Sequence, residues 1–187
     1  MNNQIRIVCR GLLLMVVFTL FSQWAQAQPR YRVGYKDEGF TVLTEASILV
    51  PSGSFYRLGY NTQLVGGLLT GQWLLGAGAS MDVYKSDFFV TPIATARYFF
   101  SKEQLTPFMM VDAGYSFPID ASAVIGGGPN VSPGLGIRYF ATRSLGVNFA
   151  LLYRFHSMPI DRGIQDESVA LRTNFVHGIG FRIGMQF

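Results

Sequence analysis

His177 is the residue whose type and surroundings come nearest to chemistry. It stands in an alternating segment, Ser168 to Phe187, on a face otherwise built from Val169, Leu171, Thr173, Phe175, Ile179, Phe181, Ile183, Met185 and Phe187. An imidazole in apolar company can exchange a proton near neutral pH, but catalysis needs a second group within hydrogen-bond reach. The only other histidine, His156, adjoins Ser157. Neighbouring strand residues point to opposite faces, so that pair cannot act together. His177 is therefore read as an amphipathic residue of an aromatic girdle, with catalysis the weaker alternative.

Charge offers a second chemistry. Every charged residue inside an alternating segment, namely Glu45, Arg57, Asp82, Arg97, Asp112, Arg138, Arg154, Arg172 and Arg182, falls on the face opposite the apolar one. Three acids among six arginines can form a buried ion-pair network, and breaking one partner of such a network costs about 3–5 kcal/mol. The competing use is a narrow ion path through the cationic excess. Asp161, Arg162, Asp166 and Glu167 in "IDRGIQDES" could meet a divalent cation or lipopolysaccharide, but they lack the ligand order of a calcium loop and read as a solvated connection. "GGGPN", Gly126 to Asn130, reads as loop punctuation rather than a phosphate cradle, since no helix follows it. No metal or cofactor is expected.

The elements that position these residues are strands. After Gln28 to Glu38, eight alternating segments follow one another with turn residues between them: Gly39 to Val50, Phe55 to Leu69, Gln72 to Tyr84, Phe88 to Phe100, Pro107 to Ile119, Val131 to Thr142, Leu145 to Ser157 and Ser168 to Phe187. No helical period interrupts them and no linker divides them, so residues 39–187 form one domain. Residues 1–27 read as a cleavable signal: Arg6 and Arg10, then the apolar "GLLLMVVFTLF", then Ala25-Gln26-Ala27. The apolar run is too short to span a bilayer as a helix. The single cysteine, Cys9, leaves with it, which removes thiol chemistry and disulfides from the mature chain. Without Arg6 and Arg10 the net charge falls from +4 to +2, thirteen basic against eleven acidic residues. Nucleic acid is not an expected partner.

Eight antiparallel strands close either as a soluble barrel with the apolar face inside or as a membrane barrel with that face outside. Three features select the membrane. The charged face is rich in glycine and arginine, which suits a crowded lumen better than a solvent surface. The mature lysines, Lys36, Lys85 and Lys102, all fall in the lead or the turns. Aromatics gather at strand ends, with Trp73, Tyr98, Phe100, Tyr139 and Phe187 at one side and Tyr56, Tyr84, Phe88, Phe117 and Phe155 at the other. "GQW" at Gly71 to Trp73 is similar to a lipocalin motif, but it falls in a turn. A mean hydropathy of +0.27 is also high for a soluble chain.

The last residues, Ile179, Phe181, Ile183, Met185 and Phe187, resemble the carboxy-terminal signature of bacterial outer-membrane barrels, and "PIATARYFF" and "GLGIRYF" are similar to strands in which an arginine enters the barrel beside an aromatic belt. Over the whole mature chain the pattern resembles the small eight-stranded outer-membrane β-barrel family, the OmpA-barrel and OmpX-like proteins. That resemblance implies an all-β, eight-stranded antiparallel transmembrane barrel in the outer membrane, inserted by the barrel assembly machinery and in contact with outer-membrane lipids and lipopolysaccharide. A monomer is expected. Both termini would be periplasmic, "TG", "SKEQLT" and "RS" the inner turns, and "PSGS", "KSD", "DASAVIGGGPN" and "MPIDRGIQDE" the outer connections. An eight-stranded barrel is just wide enough for its own side chains, so the expected function is a non-enzymatic structural or surface-interaction role with an Arg/Asp/Glu-filled lumen. Two alternatives stay open, a lipid A- or phospholipid-modifying enzyme and a narrow small-solute or ion channel. Some barrels of this kind deacylate lipopolysaccharide with a histidine and a serine two residues on. Here that position is Ile179.

Overall fold

The computed structural model of the 187-residue chain describes residues 38–52, 58–84, 87–120, 126–159 and 173–187. The signal segment and most of the lead lie outside them. Eight strands run β1 Glu38–Ser52, β2 Gly59–Thr70, β3 Trp73–Tyr84, β4 Asp87–Phe99, β5 Leu105–Asp120, β6 Gly128–Phe140, β7 Gly146–Pro159 and β8 Thr173–Gln186. Each pairs antiparallel with the next, and β8 pairs back onto β1, so the sheet closes and leaves no free edge.

Period-two alternation decides which way each side chain points. In β2, Gly59, Asn61, Gln63, Val65, Gly67 and Leu69 are buried while Tyr60, Thr62, Leu64 and Leu68 are exposed. The same division holds around the barrel, and the outward set is mostly apolar: Ile48, Leu75, Val111, Leu135, Leu151 and Phe181 stand on the outer wall. Water would not tolerate so continuous an apolar belt on a monomer, whereas hydrocarbon welcomes it. Closure satisfies the backbone groups that hydrocarbon cannot.

The seam is finished by the last residue. Phe187 exchanges backbone bonds with Val42, N to O at 2.9 Å and 3.2 Å, and Thr41 Oγ1 donates to its carbonyl at 2.6 Å. The barrel therefore has one rim where β1 begins and β8 ends, called here the terminal rim, and an opposite loop rim. At the terminal rim the hairpins are tight. Gly71 turns with φ +61, a left-handed backbone that costs a glycine little, and Gln72 Nε2 donates to the Phe100 carbonyl at 3.3 Å.

Several boundaries differ from those read from the sequence. Pro51 and Ser52 continue β1 opposite Gly178 and His177 rather than forming a loop. Gly128, Pro129 and Asn130, taken as loop, belong to β6: Asn130 faces the lumen and donates to Ser116 Oγ at 2.8 Å, which holds the chain in the sheet. The starts proposed for the second strand at Phe55 and the eighth at Ser168 lie outside the described residues. Tyr84, assigned to the outer girdle, points inward and is buried. It sits at an even position of β3, the parity of Ser80 and Asp82, so its aromatic character misled where its register would not have.

Candidate functional site

The lumen is layered, and each layer follows from the residues that parity brings inside. The middle layer is built on Glu45. Its two carboxylate oxygens take Nη1 and Nη2 of Arg97 from across the barrel, both at 2.6 Å, a bidentate pair. Gln63 Nε2 donates to Oε2 from the adjacent strand at 2.6 Å, and Arg182 Nη1 stands 3.4 Å from the same oxygen. Arg182 also binds Asp112, which Thr95 Oγ1 meets at 2.5 Å. Glycine gives this layer its room: a Cβ on Gly184 would collide with the Glu45 side chain.

Toward the loop rim the second layer centres on Asp82. Arg154 binds it from β7, and Asn61 Nδ2 donates at 2.9 Å from β2. Ser47 extends the chain to Asn61 at 3.1 Å, and Arg154 Nε donates to Ser132 Oγ at 2.9 Å. Thr91 and Ser116 share a hydroxyl contact at 2.7 Å. Above it lies a three-ring cluster, Tyr84, Phe89 and His156, with centroids 5.5–6.3 Å apart. Both His156 ring nitrogens are buried without a hydrogen-bond partner among the described residues.

Toward the terminal rim the lumen turns apolar. Phe99 and Phe108 pack at 5.6 Å, with Leu43, Leu69, Leu74 and Phe140 also buried. Arg138 lies over Phe99 at 3.6 Å and over Phe140 at 4.4 Å.

Of the nine charged positions singled out in the sequence, Glu45, Asp82, Arg97, Asp112, Arg154 and Arg182 join these two layers as ion pairs. Arg57 and Arg172 lie outside the described residues. Arg138 is a correction. It faces inward as expected, but no carboxylate lies within ion-pair distance among the described residues, because its neighbours are Thr106 on β5 and Asn148 on β7. Sequence reading also missed the inward aromatic set. Phe89, Phe99 and Phe140 share the parity of the lumen arginines and Phe108 that of Asp112, the one signal that could have revealed them.

On the outer wall, Ile179, Phe181, Ile183, Met185 and Phe187 are all exposed. The terminal girdle is present as Trp73, Tyr98 and Phe100, with ring centroids 4.9 Å and 5.4 Å apart in succession. His177 sits at the loop rim, where its Nδ1 lies 2.7 Å from Tyr153 Oη and its ring stacks on that tyrosine. Ile179 offers it no partner, but the β1–β8 register sets Ser52 directly opposite. No hydrogen bond joins Ser52 to His177 among the described residues, and no group of acids, histidines and cysteines there could hold a metal.

No protein-family model and no curated protein sequence matches the chain. Solved structures do. The crystal structure of Neisserial surface protein A (NspA) superimposes with a TM-score of 0.62 at 12% identity, covering 79% of this chain and 95% of that one. A de novo designed transmembrane β-barrel matches at 0.44 and 14% identity over 79% of this chain and 95% of its own, and the outer membrane protein AlkL in lipid bilayers at 0.44 and 11% over 86% and 94%. With NspA sharing the architecture, and with a predominantly apolar outer wall around a polar and aromatic lumen, the chain is a closed eight-stranded antiparallel transmembrane β-barrel of the outer-membrane type.

Proposed function

We propose that this barrel serves the outer membrane as a structural or surface-interaction protein, its lumen closed by the arginine and carboxylate layers rather than open as a conduit. The observation that carries the reading is Glu45, held at both oxygens by Arg97 and approached by Arg182 in the middle of the barrel. A conducting path would have to part that bidentate pair or pass beside buried side chains in a tube of the narrowest class. The apolar wall would meet outer-membrane lipids and lipopolysaccharide, the outward residues Ile179 to Phe187 would be read by the barrel assembly machinery, and the chain would act as a monomer without enzymatic activity. Planar-bilayer recording tests the closure. Purified barrel should add no discrete conductance. Steps that change size in Arg154→Gln would establish the narrow channel instead.

A second reading has one observation in its favour. Ser52 opposite His177, with Tyr153 on Nδ1, sets a hydroxyl and a base side by side at the loop rim, as a lipid-modifying enzyme would require. Mass spectra of lipid A and phospholipids from cells with and without the protein should show the same acyl chains. A lost acyl chain that returns in His177→Ala cells would make the rim an active site.

A further inference from the structure

At the terminal end of the lumen three polar side chains are left without partners on adjoining strands. Arg138 on β6 is 3% exposed, Asn148 on β7 is 2% exposed and Gln186 on β8 is 1% exposed. Arg138 Nε and Nη1, both amide atoms of Asn148 and both amide atoms of Gln186 are buried with no hydrogen bond among the described residues. They converge. Asn148 pairs with Arg138 across β6–β7, and Gly146 pairs with Gln186 across β7–β8. A Cβ built on Gly146 would touch Arg138 Cγ and Cδ at 3.5 Å and Gln186 Cβ at 3.6 Å, so the two side chains flank the bare glycine.

Charge distinguishes this floor from an ordinary hydrated recess. The lumen acids Glu45, Asp82 and Asp112 are already engaged by Arg97, Arg182 and Arg154. Arg138 is a fourth buried arginine, and among the described residues no ion pair joins it to a carboxylate. The rings of Phe99 and Phe140 lie against its guanidinium and offer only their weak negative faces. Water could occupy the amides, yet it would leave a full charge uncompensated in a low-dielectric tube. An anion would compensate it, accepting from the guanidinium edge and from the two amide NH2 groups at once.

We infer that Arg138, Asn148 and Gln186 form a binding site for a small monovalent anion, a halide or a single carboxylate, at the terminal end of the lumen. The site is independent of whether the barrel conducts, since it needs access from one rim only. It is tested on the folded full-length mature barrel in detergent, unfolded by urea in potassium chloride, bromide or formate and in potassium gluconate at the same ionic strength. Gluconate serves as the bulky control anion. The small anions should raise the urea midpoint with a saturating concentration dependence, as a ligand of the folded state does. Arg138→Met should abolish the shift, and Asn148→Leu, which keeps the guanidinium, should weaken half-saturation about tenfold, the worth of one hydrogen bond to a charged group. Crystals grown in bromide should show an anomalous peak within hydrogen-bond distance of Arg138 and one of the amides. An equal response in wild type and Arg138→Met, or water or a protein side chain in place of bromide, would overturn the site. Should Arg138→Met fail to fold, the bromide map and Asn148→Leu decide alone.

Discussion

Arg97 and Arg138 occupy nearly the same local sequence, Ala96-Arg97-Tyr98-Phe99 and Ile137-Arg138-Tyr139-Phe140, and nearly the same local structure. In both, the arginine points inward, the tyrosine joins the outer wall near the terminal rim and the following phenylalanine is buried. Yet Arg97 ends in a bidentate grip on Glu45, and Arg138 ends on two aromatic rings with part of its guanidinium unbonded. What differs is the company across the lumen. Arg97 projects from β4 toward β1, which carries an acid. Arg138 is bordered by Thr106 and Phe108 on one side and by Gly146 and Asn148 on the other. The lesson is that a lumen arginine is not one kind of residue: its role is set by strands remote in sequence.

Removing partners separates the two arginines, and the middle layer should suffer most. Glu45→Gln leaves Arg97 and Arg182 facing each other with one carboxylate fewer, and unfolding in phospholipid vesicles should become easier by about 3–5 kcal/mol. Asp82→Asn deprives only Arg154 of its ion pair and keeps an acceptor for Asn61, so its loss should fall at the lower end, about 3 kcal/mol in the same assay. Arg138→Met, measured in gluconate, should leave stability unchanged or raise it by about 1 kcal/mol, because it removes a buried charge that has no carboxylate. A loss as large as that of Glu45→Gln would place Arg138 in the network after all. The smallest loss belongs to the loop rim. Tyr153→Phe removes one half-buried hydrogen bond to His177 and should cost about 0.5 kcal/mol.

Much of the architecture is legible in the chain because a strand's parity is a local property. The outward positions of β2, β3 and β7 were readable residue by residue, and so was the confinement of Asp82, Arg97, Asp112, Arg154 and Arg182 to the other face. Tyr84 shows where composition outweighed parity to ill effect. Pro51 and Gly128 show that turn residues do not end a strand whose neighbour still offers a ladder. Ser52 illustrates a different limit: nothing in its surroundings links it to His177, since the register across the closing seam is fixed only once β8 finds β1.

The eight strands, the two faces and the side that meets hydrocarbon can all be read along the chain. Those follow from alternation, which needs only the period of an extended chain and the free-energy difference between lipid and a polar lumen. Which charges meet is fixed only when the barrel closes. Closure brings Glu45 to Arg97 over a separation of 52 residues and Asp82 to Arg154 over 72, and it leaves Arg138 with rings and amides. Pairing across a lumen depends on barrel shear and strand order, and neither is written in any single strand.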